Sequence, residues 1–544
     1  MHLKYSLAVL PVLVGIYLAG AAIGVVKLRD NRQYDSWKTD LVGLGIRDGD
    51  GNPVDHTTLF SIASNTKLFT AINVGLAIAN ETTNPAPRLK WETKLKDIFP
   101  EWKLMDPVAS GLTDMEDLLT EFRRAWQYNN IPYRIASAIP ETLYGTAFTE
   151  YTHEHILQKL GMNDTYLDED LHVATRTGRR SQGFARKDQE VAACAEDEAR
   201  HGFSDECLGT KVNIGHFDPS LEKAAGHWGI VSSVKDMSTW LQVLLLRGRS
   251  PHTNETIIPE SVIEMTSTPH SIPVENPLFD FPELGKITYG LGQQMNTYRG
   301  HRVIEHVGTM PGQVSRILRL PDLGIGVVVM VNDHELGFLF AMIASWGIMD
   351  HMLGLKPINW ERRMKPLLTQ GMLPSAPRRQ LALETPSEIP NANFQGIYHN
   401  PAYGNLVLCA APLPSSIGIP PSSKVDVKCR QIMSNHPFSA RQLSAPATYV
   451  GHYEGPDTMY LRFSHVNASR YSASLGQVFP QTGEKLPSTY GTWDAVISPD
   501  GIAYDGNPWG APTGQLTGLA AMGLDSGGLR RIAEVWFDKM PAQL

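Results

Sequence analysis

The chain has 544 residues, 42% hydrophobic and 19% charged, enough for two or more domains with ample cores. That balance excludes both a disordered chain and a polytopic membrane protein. A net charge of −8 with no basic run argues against nucleic acid or anionic lipid as a partner.

In chain order, Lys4 precedes an apolar run from Tyr5 to Val26 that contains the small-residue triplet Ala19-Gly20-Ala21. Two readings stand: a signal peptide over 1–21 leading to secretion, or a membrane anchor over 5–26. Val42–Ile46 reads as a strand and Asp48–Pro53 as its turn. The turn is not a calcium loop, because the twelfth-position glutamate and the following helix are missing.

Phe60 to Ala71 holds Ser64-x-x-Lys67 at the start of an apolar helical run. Residues three apart share a helix face, which sets Lys67 beside the Ser64 hydroxyl. Backbone N–H groups at a helix start favour a developing negative charge and disfavour a cation, so Lys67 is suited to take the serine proton. The same spacing recurs at Ser220/Lys223, in a polar stretch read as a turn or helix start, and at Ser232/Lys235, where Ser232 reads as a helix cap. Further on, Tyr128-x-Asn130 follows Trp126, and His306-x-Gly308-Thr309 precedes Pro311-Gly312. Taken alone, Tyr128 and Asn130 also fit a loop aromatic and a turn residue, and His306 a strand-edge histidine. Helices are expected over 68–78, 131–143, 153–160 and 237–246. His153 and His155 are two apart, which does not fit the i, i+4 spacing of a helical zinc site. No Gly-x-Ser-x-Gly is present.

Of four cysteines, Cys194 and Cys207 lie close together, as do Cys409 and Cys429. Two disulfides in an oxidising compartment and four buried thiols both remain open. Sequons at Asn80, Asn163, Asn254 and Asn467 agree with secretion as glycosylation candidates. Residues 365–390 are proline-rich and aperiodic, a linker. Beyond them, over 391–544, short strands expected at 406–409, 425–429, 459–463 and 532–537 suit an antiparallel barrel or sandwich. The aromatics Tyr490, Trp493, Tyr504, Trp509 and Trp536 read as core before ligand site.

Ser64-x-x-Lys67, Tyr128-x-Asn130 and His306-x-Gly308, in this order, resemble the serine β-lactamase and penicillin-binding-protein superfamily, in its class C-like branch of esterases, D,D-peptidases and transesterases. The likeness runs from about Ala22 to Leu355. It includes Leu160-Gly161-Met162, the approach Gly226–Ser233 and the strand-like stretch 321–332; the opening of the C-terminal domain at Gly396–Gly404 is similar to fungal members. The resemblance implies an α/β fold, an antiparallel sheet flanked by helices plus a helical lobe, over 22–364, with 21–27 as the first core strand. It further implies Ser64 as nucleophile, Lys67 and Tyr128 as proton carriers, and Asn130 as a substrate or lysine contact. Gly308 would admit substrate, and the N–H groups of Ser64 and Thr309 would hold the oxyanion. No cofactor or metal is needed. His306 stands where penicillin-recognising members carry lysine, which favours an ester, thioester or small amide as the small-molecule substrate, within secondary metabolism. A catalytically inactive binding relative and a D-Ala-D-Ala-type peptidase are the alternatives. The chain departs from the family in one place: Asp117-Leu118-Leu119-Thr120 runs directly into Glu121–Trp126, without the usual longer segment before the tyrosine.

Overall fold

The computed structural model describes residues 18–29, 36–79, 89–104, 107–120, 128–187, 205–216, 226–271, 279, 281–364, 394–400, 404–411, 423–444, 448–453, 459–467, 470–479, 481–498, 500–504 and 535–541. The chain divides into two compact units, Met1–Arg186 with Gly215–Met364, and Lys187–Ile214 with Lys365–Leu544. The linker expected over 365–390 lies outside the described residues.

The strands of the first part of the chain are β1 Gly20–Leu28, β2 Trp37–Gly45, β3 Leu59–Ser61, β4 Thr165–Tyr166, β5 Gly183–Lys187, β6 Thr210–Gly215, β7 Val231–Ser233, β8 Thr288–Tyr289, β9 Gln294–Tyr298, β10 His301–Met310, β11 Gln313–Leu320 and β12 Ile325–Val331. Seven of them form one sheet in the order β2-β1-β12-β11-β10-β9-β8, antiparallel at the registered pairs. Strand β1, next to the β2 edge, is apolar on both faces and buried almost throughout, as a strand covered on both sides must be. The last part of the apolar run 5–26, from Gly20 on, therefore stands in the sheet, where Ala21 pairs with Leu44 and Val331. Residues 1–17 lie outside the described residues. Among the described residues no helix is long and apolar enough to cross a membrane.

Four helices frame the sheet. Helix α1 (Thr66–Ala79) is apolar nearly all round and accordingly buried. Helix α2 (Val234–Leu245) starts where the Ser233 hydroxyl accepts from the Asp236 N–H. The cap is thus Ser233; Ser232 sits in β7, fully buried, its hydroxyl 2.8 Å from that of Thr165. Phe69 of α1 stacks on Trp240 of α2 at 4.2 Å, and both belong to the core that also takes Val328 and Met330 of β12. Helix α3 (Glu260–Thr266) packs against α1, and α4 (Gly337–Met352) packs on β11 and β12. A smaller core joins α1 to the helical lobe through Leu118, Leu119, Tyr133 and Ile139. In that lobe helices cover Ile131–Ser137 and Ile139–Tyr144, and a wide five-residue turn, His153–Leu157, interrupts the helical stretch 148–160. The Asp48 carboxylate is occupied by its own turn, accepting from the N–H groups of Asp50 and Asn52.

The C-terminal unit holds a closed antiparallel barrel of β13 Gly396–Asn400, β14 Gly404–Ala411, β15 Thr448–Tyr453, β16 Met459–Asn467, β17 Arg470–Val478, β18 Lys485–Ile497, β19 Gly501–Tyr504 and β20 Val535–Lys539. Strand β14 alternates: Leu406 and Leu408 enter the barrel core, while Val407 and Cys409 face a second cluster. That cluster lies under helix α5 (Lys424–Asn435), where a strand over 425–429 is expected from the β-branched Val425 and Val427. The helix prevails because Ser423 caps it and Cys429 and Ile432, three apart, bury one face. Cys409 and Cys429 form a disulfide with Cα atoms 5.4 Å apart. Cys207 is disulfide-bonded as well; Cys194 lies outside the described residues. Asn163 is exposed in the turn before β4, Asn254 occupies a left-handed turn position and Asn467 ends β16, whereas Asn80 lies outside. Trp509 is outside too; Tyr490 and Trp493 belong to β18, Tyr504 to β19 and Trp536 to β20.

Candidate active site

Strand β3 delivers the chain into a tight turn, Ala63–Asn65, immediately ahead of α1. Ala63 has φ +46°, a conformation that costs a non-glycine residue energy and persists only where surroundings enforce it. Three contacts supply that enforcement. The Ser61 N–H donates to Gln313 Oε1 at 2.6 Å, Asn65 Nδ2 donates to Ser315 Oγ at 2.8 Å, and Ser315 Oγ donates to the Ile62 carbonyl at 2.7 Å. Gln313 and Ser315 stand on β11, so the turn carrying Ser64 is fastened to the sheet.

Ser64 is 8% exposed and Lys67 fully buried. Lys67 Nζ lies 3.2 Å from Ser64 Oγ, 2.6 Å from Asn130 Oδ1 and 3.1 Å from the His227 carbonyl oxygen. The Tyr128 ring centroid is 4.9 Å from the same nitrogen. The short connection before Tyr128 therefore still brings Tyr128 and Asn130 to Lys67; residues 121–127 are outside the described set. Behind α1, the Thr70 hydroxyl donates to the Gly226 carbonyl at 2.6 Å, and the Ile62 N–H donates to Ile230 at 3.0 Å. This fixes the Gly226–Ile230 segment and with it the His227 carbonyl. Ser220 and Lys223 lie outside the described residues, and Lys235 pairs with Asp164 on the surface, away from any serine nucleophile role.

Strand β10 closes the other side. A Cβ on Gly308 would come to 2.1 Å from the Ile62 carbonyl oxygen and 3.0 Å from the Ser64 nitrogen. The glycine thus serves the approach of the strand to the nucleophile turn. His306 is 5% exposed, and its Nδ1 lies 2.7 Å from the Val307 carbonyl. A carbonyl only accepts, so Nδ1 carries the hydrogen and Nε2 accepts from the Tyr289 hydroxyl at 3.0 Å. Burial, followed by the Lys67 charge, pushes its pKa down to about 3. Both ring nitrogens face protein, so His306 positions its neighbours as a neutral ring and offers no fixed charge. The Thr309 side chain is exposed on the opposite face of β10 from His306 and Gly308. Tyr289, Gln313, Ser315 and the His227 carbonyl are not marked by any motif.

A serine beside a buried lysine, a tyrosine over that lysine and a strand against the serine's turn are the arrangement of a β-lactamase-type serine hydrolase site. The chain belongs to the Beta-lactamase family, whose model matches residues 17–342. It is 24% identical over 426 residues to "Unguisins hydrolase ungD'" of Aspergillus campestris, covering 69% of this chain and 72% of that one. It is 23% identical over 461 residues to "Unguisins hydrolase ungD" of Aspergillus violaceofuscus, covering 72% and 73%. Among solved structures, the octameric penicillin-binding protein homologue from Pyrococcus abyssi matches with a TM-score of 0.51 at 15% identity, over 93% of this chain and 99% of that one.

Proposed function

We propose that this chain hydrolyses or transfers the acyl group of an ester, thioester or small amide through an acyl-Ser64 intermediate. The observation that carries the reading is the set of contacts around Lys67 Nζ. At rest Lys67 Nζ donates to Ser64 Oγ, Asn130 Oδ1 and the His227 carbonyl; on losing a proton it keeps the last two bonds and turns its lone pair to the Ser64 hydroxyl. As Ser64 Oγ bonds to the substrate carbonyl carbon, its proton passes to Lys67 and the carbonyl oxygen becomes an oxyanion. The Ser64 N–H, in the first turn of a helix where no ladder bond uses it, and the Thr309 N–H are placed here as its donors. Collapse of the tetrahedral adduct expels the alcohol, thiol or amine, protonated through Tyr128. Water or an acceptor alcohol then attacks the acyl-enzyme by the reverse path.

The relatives named as unguisins hydrolases support hydrolysis over transfer, and we place the reaction in secondary metabolism. The neutral His306 weighs against a carboxylate-bearing β-lactam or D-Ala-D-Ala substrate. The Cys409–Cys429 disulfide supports an oxidising, extracytoplasmic compartment.

The test is intact-mass labelling with a fluorophosphonate and with p-nitrophenyl acetate, comparing the wild-type chain with Ser64→Ala. One adduct on the wild type alone is expected, with ester turnover lower by roughly a thousandfold or more in the variant. Folded wild type that takes no adduct would refute the enzyme reading and leave a ligand-binding relative, with the short segment before Tyr128 as its cause.

A further inference from the structure

A groove of about 760 Å³ opens at one end of the seven-stranded sheet, between the ends of β1 and β11, the start of β10, the turn after α2 and the end of α3. Five guanidinium side chains line it, those of Arg29, Arg247, Arg249, Arg302 and Arg319. Among the described residues the carboxylates on its walls are Glu264 and Asp322, and Asp322 pairs with Arg302 at 3.0 Å where both are more than half exposed. Arg247 pairs with Glu260, also in the open. Such surface pairs hold their partners weakly.

Arg319 is different. It is 4% exposed, and its acceptors are the side-chain oxygens of Gln293 and Ser267, both neutral. Those two bonds use two of its five donors, and among the described residues no carboxylate forms an ion pair with it. Among the described residues Arg249 likewise has only the Leu246 carbonyl and Asn254 Oδ1. Burial, with the Arg302 charge adding to it, lowers the Arg319 pKa to about 9, which leaves the guanidinium protonated at neutral pH. A buried cation without a counter-ion is costly, and planar guanidinium forks match oxyanions bidentately.

We propose that this groove binds a phosphate-bearing anion, with Arg319 at its floor and Arg249 and Arg302 at its rim. The site lies at the opposite end of β11 from Ser315, four residues or about 13 Å along the strand. It is thus separate from the acylation chemistry.

Isothermal titration of the full chain with inorganic phosphate and with inorganic pyrophosphate, at ionic strength held constant with chloride, tests it. Sedimentation with phosphatidylcholine vesicles containing phosphatidic acid runs alongside. Saturable binding of pyrophosphate is expected, about tenfold or more weaker in Arg249→Ala/Arg302→Ala and lost in Arg319→Gln. Acylation of Ser64 in the rim variant should remain unchanged. The double rim variant keeps the test decisive if Arg319→Gln does not fold. Arginine-dependent binding to vesicles alone would assign the phosphate to a lipid headgroup and uphold the chemistry. No saturable binding of any probe, or unchanged affinity in the rim variant, would overturn the proposal.

Discussion

Gly308→Ala isolates the contact between strand β10 and the nucleophile turn. The added Cβ would sit 2.1 Å from the Ile62 carbonyl oxygen, 2.7 Å from Ser315 Oγ and 3.0 Å from the Ser64 nitrogen. An ordinary carbon–oxygen contact is a little over 3 Å, so the turn or the strand must retreat by about 1 Å. The nearest of the three is backbone, and the Ser315 hydroxyl is itself held by its bond to that carbonyl. The Ile62 carbonyl already accepts from Ser315, and the turn is held on β11 by Gln313. A displacement of about 1 Å at the reacting group costs on the order of a hundredfold in rate, and overpacking costs about 1–3 kcal/mol of stability. The assay is the rate of the p-nitrophenol burst with p-nitrophenyl acetate, together with the thermal midpoint. Thr309→Ala is the control, because its side chain is exposed while its N–H is retained. A Gly308→Ala protein with wild-type burst rate and midpoint would refute the steric argument and the oxyanion geometry built on it.

Ser315→Ala removes the acceptor of Asn65 and the donor to Ile62. It should slow acylation by about tenfold at unchanged KM and cost roughly 1–3 kcal/mol in a urea titration. Acid should destabilise the first unit through His306 and His227, whose pKa values burial first, then Lys67, lowers to about 3 and about 2. Between pH 6.5 and 3 the unfolded chain binds more protons than the folded one. Stability therefore falls as pH falls, by up to about 1.4 kcal/mol per pH unit for each ring. Urea titrations at pH 7, 5 and 4 check this, and His306→Asn should flatten the slope. Replacing Cys429 by serine should cost the barrel about 3 kcal/mol, read as a lower thermal midpoint, since the bridge spans 20 residues.

The reacting groups were readable because each motif is local. Ser64 and Lys67 are one turn apart, Tyr128 and Asn130 share a loop, and His306 and Gly308 point to one side of a strand. The groups that hold them are not local. Gln313 and Ser315 reach the nucleophile turn across about 250 residues of chain, and Tyr289 reaches His306 from a two-residue strand. No spacing rule links them. His306 itself illustrates the limit: its position was legible, but its neutrality and its partners depend on burial and on Tyr289. In the barrel, Val425 and Val427 favoured a strand by propensity, and the Ser423 cap with the Cys429 bridge overrode it.

The interior strand β1 sets the order in which this chain can fold. Its partner β2 follows at once, but β12 does not: the Ala19 N–H is held by Asp333, 314 residues later. At about 5–20 residues per second, synthesis takes roughly 15–60 s to supply that second edge. Through that interval a strand apolar from Gly20 to Val26 waits with one side unpaired. The nascent chain should therefore expose an unpaired apolar edge, and its yield in a heterologous host should depend on chaperone supply more than on the stability of the finished fold.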